Sequence, residues 1–247
     1  MNTPTLEAAP ASRGRIAEPH SDTVDAVWRP IYWAGGVAAL FTVATVVVAI
    51  PVFIVSPPPT TVAGWFALLH RNALLGLIDL DLAMLLGVGS SSLIYLALFG
   101  ALRRVNAPVM ALAAIVGLVG VATYFASNVA FNMLLLSNQY ATATTDAQRS
   151  QLLAAGHAML AIWQGTAYDV SYVLGGVAIL IISVVMLRSA VFGKVTAYLG
   201  LLFGALMLVP GTAGAVGLVF AFASLLLMVV WDVLITRRLF QLAAHAQ

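Results

Sequence analysis

The stretch that decides the fold is IYWAGGVAALFTVATVVVAIPVFIV, residues 31–55, a run without a single charged side chain. As a helix it is long enough to cross the hydrocarbon core of a bilayer, which is about 30 Å thick. Tyr32 and Trp33 near its start are aromatic residues of the kind that anchor a span at the membrane interface. The sequence SPPP at 56–59 ends it. The stretch therefore predicts a transmembrane helix.

The composition of the whole chain agrees with that prediction. Of its 247 residues 62% are hydrophobic and only 8% are charged, and the mean hydropathy is +1.02, whereas about a quarter of the residues in soluble domains are charged. The chain is therefore predicted to be an integral membrane protein with the lipid bilayer as its main partner. The net charge of +2 forms no basic face, which argues against nucleic acid. The absence of cysteine excludes disulfides and thiolate chemistry.

Five more apolar segments follow the first, and together they predict an all-α bundle of six transmembrane helices. The further spans are expected at about residues 73–102, 107–137, 166–187, 195–209 and 214–235. Residues 1–30 are predicted to be a flexible tail, 31–238 the transmembrane domain and 239–247 a second tail. Residues 64–72 mix Trp65 and Phe66 with His70 and Arg71, which suits a short amphipathic helix at the interface.

The basic residues predict how the bundle is oriented. With six spans, nine of the eleven fall on one side: Arg13, Arg15, Arg29, Arg103, Arg104, Arg188, Lys194, Arg237 and Arg238. Lysine and arginine are retained on the cytoplasmic side of membrane proteins. Both termini are therefore predicted to be cytoplasmic, in a multi-pass protein of the bacterial inner membrane.

Polar side chains concentrate at the opposite, outer ends of the spans. In HAMLAIWQGTAYDVSY, residues 157–172, a continuous helix would place His157, Gln164, Tyr168 and Tyr172 within an arc of roughly 80°, with Asp169 at its edge. In the third predicted span a tyrosine and two asparagines recur every four residues, at 124, 128 and 132. The two patterns predict a polar pocket at the outer end of the bundle.

Two aspartates early in the second predicted span are expected at the same membrane depth as these polar side chains. Asp79 and Asp81 point roughly 200° apart on a regular helix, so only one of them is expected to face a cavity, and Arg71 could pair with the other. The complete set of predicted ligand-binding residues is Asp79, Asp81, Tyr124, Asn128, Asn132, His157, Gln164, Tyr168, Asp169 and Tyr172.

Other polar and small residues have simpler interpretations. Serines 90–92 are expected to help helices pack, and Asp232 is expected to lie at the inner headgroup boundary, balanced by Arg237 and Arg238. Gly200 and Gly204 form a G-x-x-x-G motif, which permits close helix contact either within the bundle or between subunits.

Several of these patterns resemble an uncharacterised family of bacterial six-pass membrane proteins classed as a domain of unknown function. The resemblance covers about residues 72–235. It includes an early aspartate in the second span, the turn RRVNAP at 103–108, the pair Tyr168-Asp169 with His157 upstream, and LRS at 187–189 followed by Lys194 and YLG at 198–200. At 192–194 this chain has Phe-Gly-Lys, where the family usually has a Leu-Pro-Arg connection. The resemblance implies six helices and no known activity.

Three functional hypotheses follow. The first is a non-enzymatic protein whose outward-facing pocket binds a small or amphiphilic ligand, such as a lipid, or seats a partner membrane protein, without a cofactor. The second is an intramembrane metal-dependent lipid hydrolase with His157, Asp169 and His70 as candidate ligands, because imidazole and carboxylate suit zinc. The third is a structural subunit of a larger membrane complex, in which the polar residues only hold the helices together.

Overall fold

The computed structural model describes residues 21–245, and every regular element within them is a helix. The helices are α1 (Ser21–Val55), α2 (Val62–Arg71), α3 (Ala73–Asp79), α4 (Leu82–Ser127), α5 (Ala130–Thr142), α6 (Asp146–Trp163), α7 (Thr166–Leu187), α8 (Lys194–Leu206) and α9 (Gly214–His245). The all-α prediction is confirmed.

Parts of both predicted tails are helical where the structure describes them. Helix α1 already includes residues 21–30, and α9 continues through most of 239–247 to His245. Residues 1–20 and 246–247, which hold the rest of both predicted tails, lie outside the described residues.

Four helical segments in residues 21–245 are long and apolar enough to cross a membrane. They are Ala26–Val55, Leu82–Thr142, Asp146–Leu187 and Gly214–His245, and α8 is a shorter apolar helix. Several span ends predicted from the sequence coincide with helix ends, including Val55 and Leu187. The chain therefore has the helices of a membrane protein.

Helix α4 is broken near its middle at Asn106, whose φ of −160° and ψ of 88° are not helical. The Asn106 Oδ1 atom accepts a hydrogen bond from the Val109 backbone N–H at 3.2 Å, which caps the helix that follows. Pro108 lies in the first turn of that helix, where its missing N–H costs no helical hydrogen bond. The break lies where the sequence predicted the connection between the second and third spans.

The two halves of α4 fold back on each other. The Gly89 backbone lies against the Phe125 ring, and the Gly117 backbone lies against the Tyr95 ring. The contact of Gly89 with Phe125 joins the two ends of α4, and the contact of Tyr95 with Gly117 joins positions nearer the break. The two halves therefore run antiparallel. One long apolar segment thus supplies two neighbouring helices of the bundle.

The long helices form a ring around the main hydrophobic core. Around this ring α1 packs on α4, α4 on α7, α7 on α8, α8 on α9, and α9 again on α1. The largest fully buried side chains of this core are Leu98, Leu102, Met110, Ile182, Met186, Trp231, Ile235 and Leu239.

The short helices α2, α3, α5 and α6 form a second unit, called the cap here, at the end of the ring where α1 ends and α7 begins. The cap has its own core, which includes Trp65, Phe66, Leu69 and Met133. The Ser137 hydroxyl of α5 donates to the Phe66 carbonyl of α2 at 2.8 Å. The apolar face of α2 is therefore buried against protein, not against lipid as the amphipathic pattern had predicted.

The G-x-x-x-G motif of α8 makes a contact within the bundle. A Cβ atom placed on Gly204 would lie 2.8 Å from the carbonyl oxygen of Gly176 in α7. Two helix backbones approach this closely only where both residues lack a side chain. The sequence left open whether the motif brings helices together within the bundle or between subunits. The structure shows that it packs α8 on α7 within the bundle.

We predict that Gly204→Ala lowers the stability of the bundle by about 1 to 3 kcal/mol, because the added methyl group separates α7 from α8. Thermal unfolding in detergent measures the change as a lower midpoint. Gly193→Ala is the matched control, since a Cβ atom there meets nothing within 4 Å, and it should leave the midpoint unchanged. Equal midpoints for both variants would contradict the close contact.

Candidate ligand-binding cavity

The ring of helices encloses an elongated cavity of about 300 Å³. Along α9 its wall runs from Leu218 to Asp232, a rise of about 21 Å at 1.5 Å per residue. Helices α1, α4, α7 and α8 supply the other walls. The lining includes the aromatic residues Tyr95, Tyr124, Tyr168, Tyr172, Phe203, Phe222 and Trp231 and the methionines Met84, Met207 and Met228.

The cavity opens sideways along the first half of α9. Leu218 and Phe222 line it, yet they are 54% and 58% exposed. Helices α1 and α9 meet further along, where the Thr236 hydroxyl donates to the Gly36 carbonyl at 3.3 Å and Gly35 lies against Leu239. In a membrane this side opening would face lipid chains.

Three tyrosines stack along the wall of the cavity nearest the cap. The ring centroids of Tyr124 and Tyr168 are 6.1 Å apart, as are those of Tyr168 and Tyr172. The Tyr172 hydroxyl shares a 2.6 Å hydrogen bond with the Ser224 hydroxyl of α9. These three members of the predicted ligand-binding set are thus brought together on one wall.

The predicted residues His157 and Gln164 of the 157–172 stretch do not join them, because the helix is interrupted. Helix α6 ends at Trp163 and α7 begins at Thr166, so the continuous polar face expected from the sequence does not form. His157 and Gln164 lie before the break and are exposed. A glycine at 165 adopts the extended conformation that separates the two helices.

Asp79 and Asp81 are also separated by a helix break. Asp81 has a φ of 63°, the left-handed conformation, and it joins α3 to α4. Its Oδ2 atom accepts a 2.9 Å hydrogen bond from the Trp163 indole N–H. Asp79 is 0% exposed, and neither of its carboxylate oxygens has a hydrogen-bond partner within residues 21–245. Neither aspartate lines the cavity, although one of them was expected to face it, and what separates them is a helix break and not the periodicity of one helix.

The asparagines of the predicted third span have different environments. Asn128 ends α4, where its side-chain amide donates to the Leu80 carbonyl at 3.0 Å and its Oδ1 accepts from the Ala130 N–H at 3.1 Å. Asn132 lies beyond the break, exposed on α5, with Met159 Sδ at 3.7 Å from its amide nitrogen. Asn128 therefore ties the junctions of the cap together, and neither residue lines the cavity.

Asp169 joins the beginning of α7 to the connection before α9. Its Oδ1 atom accepts a 2.5 Å hydrogen bond from the Thr212 hydroxyl.

His70 and His157 are both exposed on the cap. Across residues 21–245, no group of three His, Cys, Asp or Glu side chains could hold a metal ion. The alternative metal set of His157, Asp169 and His70 is therefore not assembled.

The serine run packs helices as expected and contributes one residue to the cavity. The Ser90 hydroxyl donates to the Gly87 carbonyl at 2.7 Å and lies 3.0 Å from the Thr42 hydroxyl of α1. Ser91 also bonds the backbone of its own helix, at 3.4 Å, and lines the cavity.

Asp232 is the functional candidate that the sequence analysis misplaced. It is 3% exposed and lines the cavity, so its side chain faces the interior of the bundle, and the expected balance by Arg237 and Arg238 does not form among residues 21–245. Arg238 instead donates to the Val191 carbonyl and to Gln241 Oε1. One signal in the sequence could have found it: Leu218, Phe222, Leu225, Met228 and Asp232 recur at helical spacing on one face of α9.

Comparison of the chain with protein-family models, curated proteins and solved structures finds no match.

We predict that Asn128→Ala destabilises the protein by about 1 to 3 kcal/mol, because the Leu80 carbonyl loses its side-chain donor and the Ala130 N–H loses its acceptor. Asn132→Ala removes only an exposed contact to sulfur and should leave the unfolding midpoint unchanged. Thermal unfolding of both variants in detergent compares them. Equal effects would contradict the structural role given to Asn128.

Proposed function

We propose that this chain is a six-pass membrane protein that binds a small apolar or amphiphilic molecule in the cavity between its helices. The observation that carries the proposal is the aromatic and methionine-rich lining of a cavity that opens sideways beside α9. Ligand sites of this kind are concave, mostly apolar and supplied with a few polar groups. The binding residues proposed for the apolar part of the ligand are those of the tyrosine stack, together with Leu218, Phe222, Leu225 and Met228 of α9.

The six crossings proposed are α1, the two halves of α4, α7, α8 and α9. Helix α8 has 13 residues and rises only about 20 Å, so the connection that follows it would complete the crossing. The fold supports the predicted orientation. Arg103 and Arg104 precede the break in α4, and Arg188 and Lys194 flank the connection from α7 to α8. These connections lie at the end of the ring opposite the cap, which would place the cap outside a bacterial inner membrane.

Removal of the ligand's apolar surface from water, at about 25 cal/mol per Å², would drive it into the membrane, and packing contacts with the lining would then hold it in the cavity. Methionine side chains adapt to ligands of different shape, while the hydroxyl groups of the tyrosine stack offer polar contacts at the cap end. The proposal needs no catalytic step and no cofactor. The role of a structural subunit in a larger complex stays a prediction.

The proposed orientation can be tested with single cysteines, because the chain has none of its own. Gln148→Cys lies on the cap and Ala190→Cys in the connection between α7 and α8, and both positions are exposed. In spheroplasts, a membrane-impermeant maleimide should label the first at once and the second only after lysis. The reverse pattern would overturn the orientation.

Ligand binding can be tested with 8-bromooctanol in phosphatidylcholine nanodiscs, since bromine quenches tryptophan on contact and Trp231 lines the cavity. We expect saturable quenching that disappears in Trp231→Phe. The double variant Val88→Phe/Val121→Phe narrows the cavity and should weaken the effect at least fivefold. Val216→Phe/Val219→Phe, on the exposed side of α9, is the control and should behave as the wild type. Unsaturable quenching that survives Trp231→Phe would refute the proposal.

A further inference from the structure

We infer that the ligand of this cavity is an amphiphilic cation, whose ammonium group is held by Asp232 while its apolar part lies along the aromatic wall. The inference rests on the proposed function and names the chemical class of its ligand. It follows from the charge of the lining, from the missing partner of Asp232 and from the aromatic rings beside it.

The lining carries a charge of one sign only. Within the part of the chain that the structure describes, Asp232 is the single charged residue that lines the cavity, and no lysine, arginine or histidine joins it. An anionic headgroup would therefore find no basic side chain in the lining to bind it. A cationic group would meet its counter-ion.

Asp232 also lacks a partner within the protein. No donor among residues 21–245 hydrogen-bonds to its carboxylate, although 97% of the residue is buried. A buried carboxylate without a partner is destabilising, and ionisable residues inside membrane spans characteristically mark ligand or ion pathways. A ligand cation at the end of the cavity where Asp232 lies would supply the charged partner that the protein itself does not provide.

Aromatic rings surround the same end of the cavity. Tyr95 lines the cavity together with Asp232, and so does Trp231, whose ring centroid is 6.1 Å from that of Phe203. Aromatic faces attract ammonium groups, most strongly where water is excluded. The rings therefore favour an organic cation, whose methyl or methylene groups pack on them.

An inorganic cation fits this site less well. Calcium requires six to eight oxygen ligands, and magnesium requires an octahedron of them. The cavity offers one carboxylate and a few hydroxyl groups, which include those of Ser91, Ser224 and Thr42. A quaternary alkylammonium ion needs no such shell, because its charge is already surrounded by carbon.

The test is competition between octyltrimethylammonium and 8-bromooctanol in the same nanodiscs, with 1-octanol as the neutral competitor. Concentrations in the bilayer are corrected for partitioning into nanodiscs without protein. We expect the cation to restore Trp231 fluorescence at a concentration at least tenfold below that of 1-octanol. In Asp232→Asn this preference should vanish, while 8-bromooctanol itself still binds. Asp146→Asn, an exposed residue of the cap, is the control and should keep the preference.

The outcomes separate the two proposals. If 8-bromooctanol binds but the wild type shows no preference for the cation, the inference is overturned and the proposed function stands. If 8-bromooctanol does not quench Trp231 and the cation does not change the fluorescence of Trp231, both the inference and the proposed function are overturned. Should Asp232→Asn fail to fold, the preference of the wild type and its retention in Asp232→Glu decide the matter, and loss of the preference in a folded Asp232→Glu counts against the inference.

Discussion

The constraint on which the rest of the structure depends is that an apolar chain must satisfy its backbone polar groups wherever a helix ends. A capping side chain does so whether the helix end lies in the membrane, where water is absent, or outside it. Three asparagines meet this need with the same bond: the side-chain oxygens of Asn72, Asn106 and Asn128 accept from the backbone N–H groups of Leu75, Val109 and Ala130 at 3.1 to 3.2 Å. Each asparagine allows the chain to turn at a place where its apolar composition alone would extend the helix. The hairpin of α4 and the folding of the cap both follow from these turns.

The turns also explain why the protein has two hydrophobic cores and a cavity between helices. Short helices pack tightly around Phe66 and Met133 in the cap, whereas the longer helices of the ring close on each other mainly at the end that carries the arginines. There α1 and α9 are held by Thr236 and by the glycines at 35 and 36. Towards the cap α9 diverges, and its lining side chains are left partly uncovered. The tyrosine stack and Asp232 therefore mark the two ends of one space, and polar groups at both ends of an apolar space suit an elongated ligand with a charged head.

The sequence predicts the elements that depend on composition and misses those that depend on tertiary packing. The helical class and many helix ends could be predicted, because long apolar runs closed by proline, glycine or arginine have few other solutions. The breaks at Asp81, Asn128 and Gly165 could not, since a single polar residue or glycine in an apolar run is compatible with a continuous helix. Each break moved predicted site residues apart: His157 and Gln164 became exposed, while Tyr168 and Tyr172 remained on the cavity wall. Asp232 was misplaced because two arginines follow it closely, and its burial depends on the face that α9 turns inward.

The sideways opening beside α9 changes which reservoir supplies the cavity. A ligand of the proposed kind would arrive there from the membrane, where an amphiphile is far more concentrated than in the surrounding solution. Modest intrinsic affinity would then be enough for high occupancy, and occupancy would follow the composition of the lipid phase. Among compounds of equal charge, occupancy of the cavity would depend first on their solubility in the bilayer and only then on how well they fit the cavity. Under the proposed function, the cavity would therefore sample the molecules that have dissolved in the membrane.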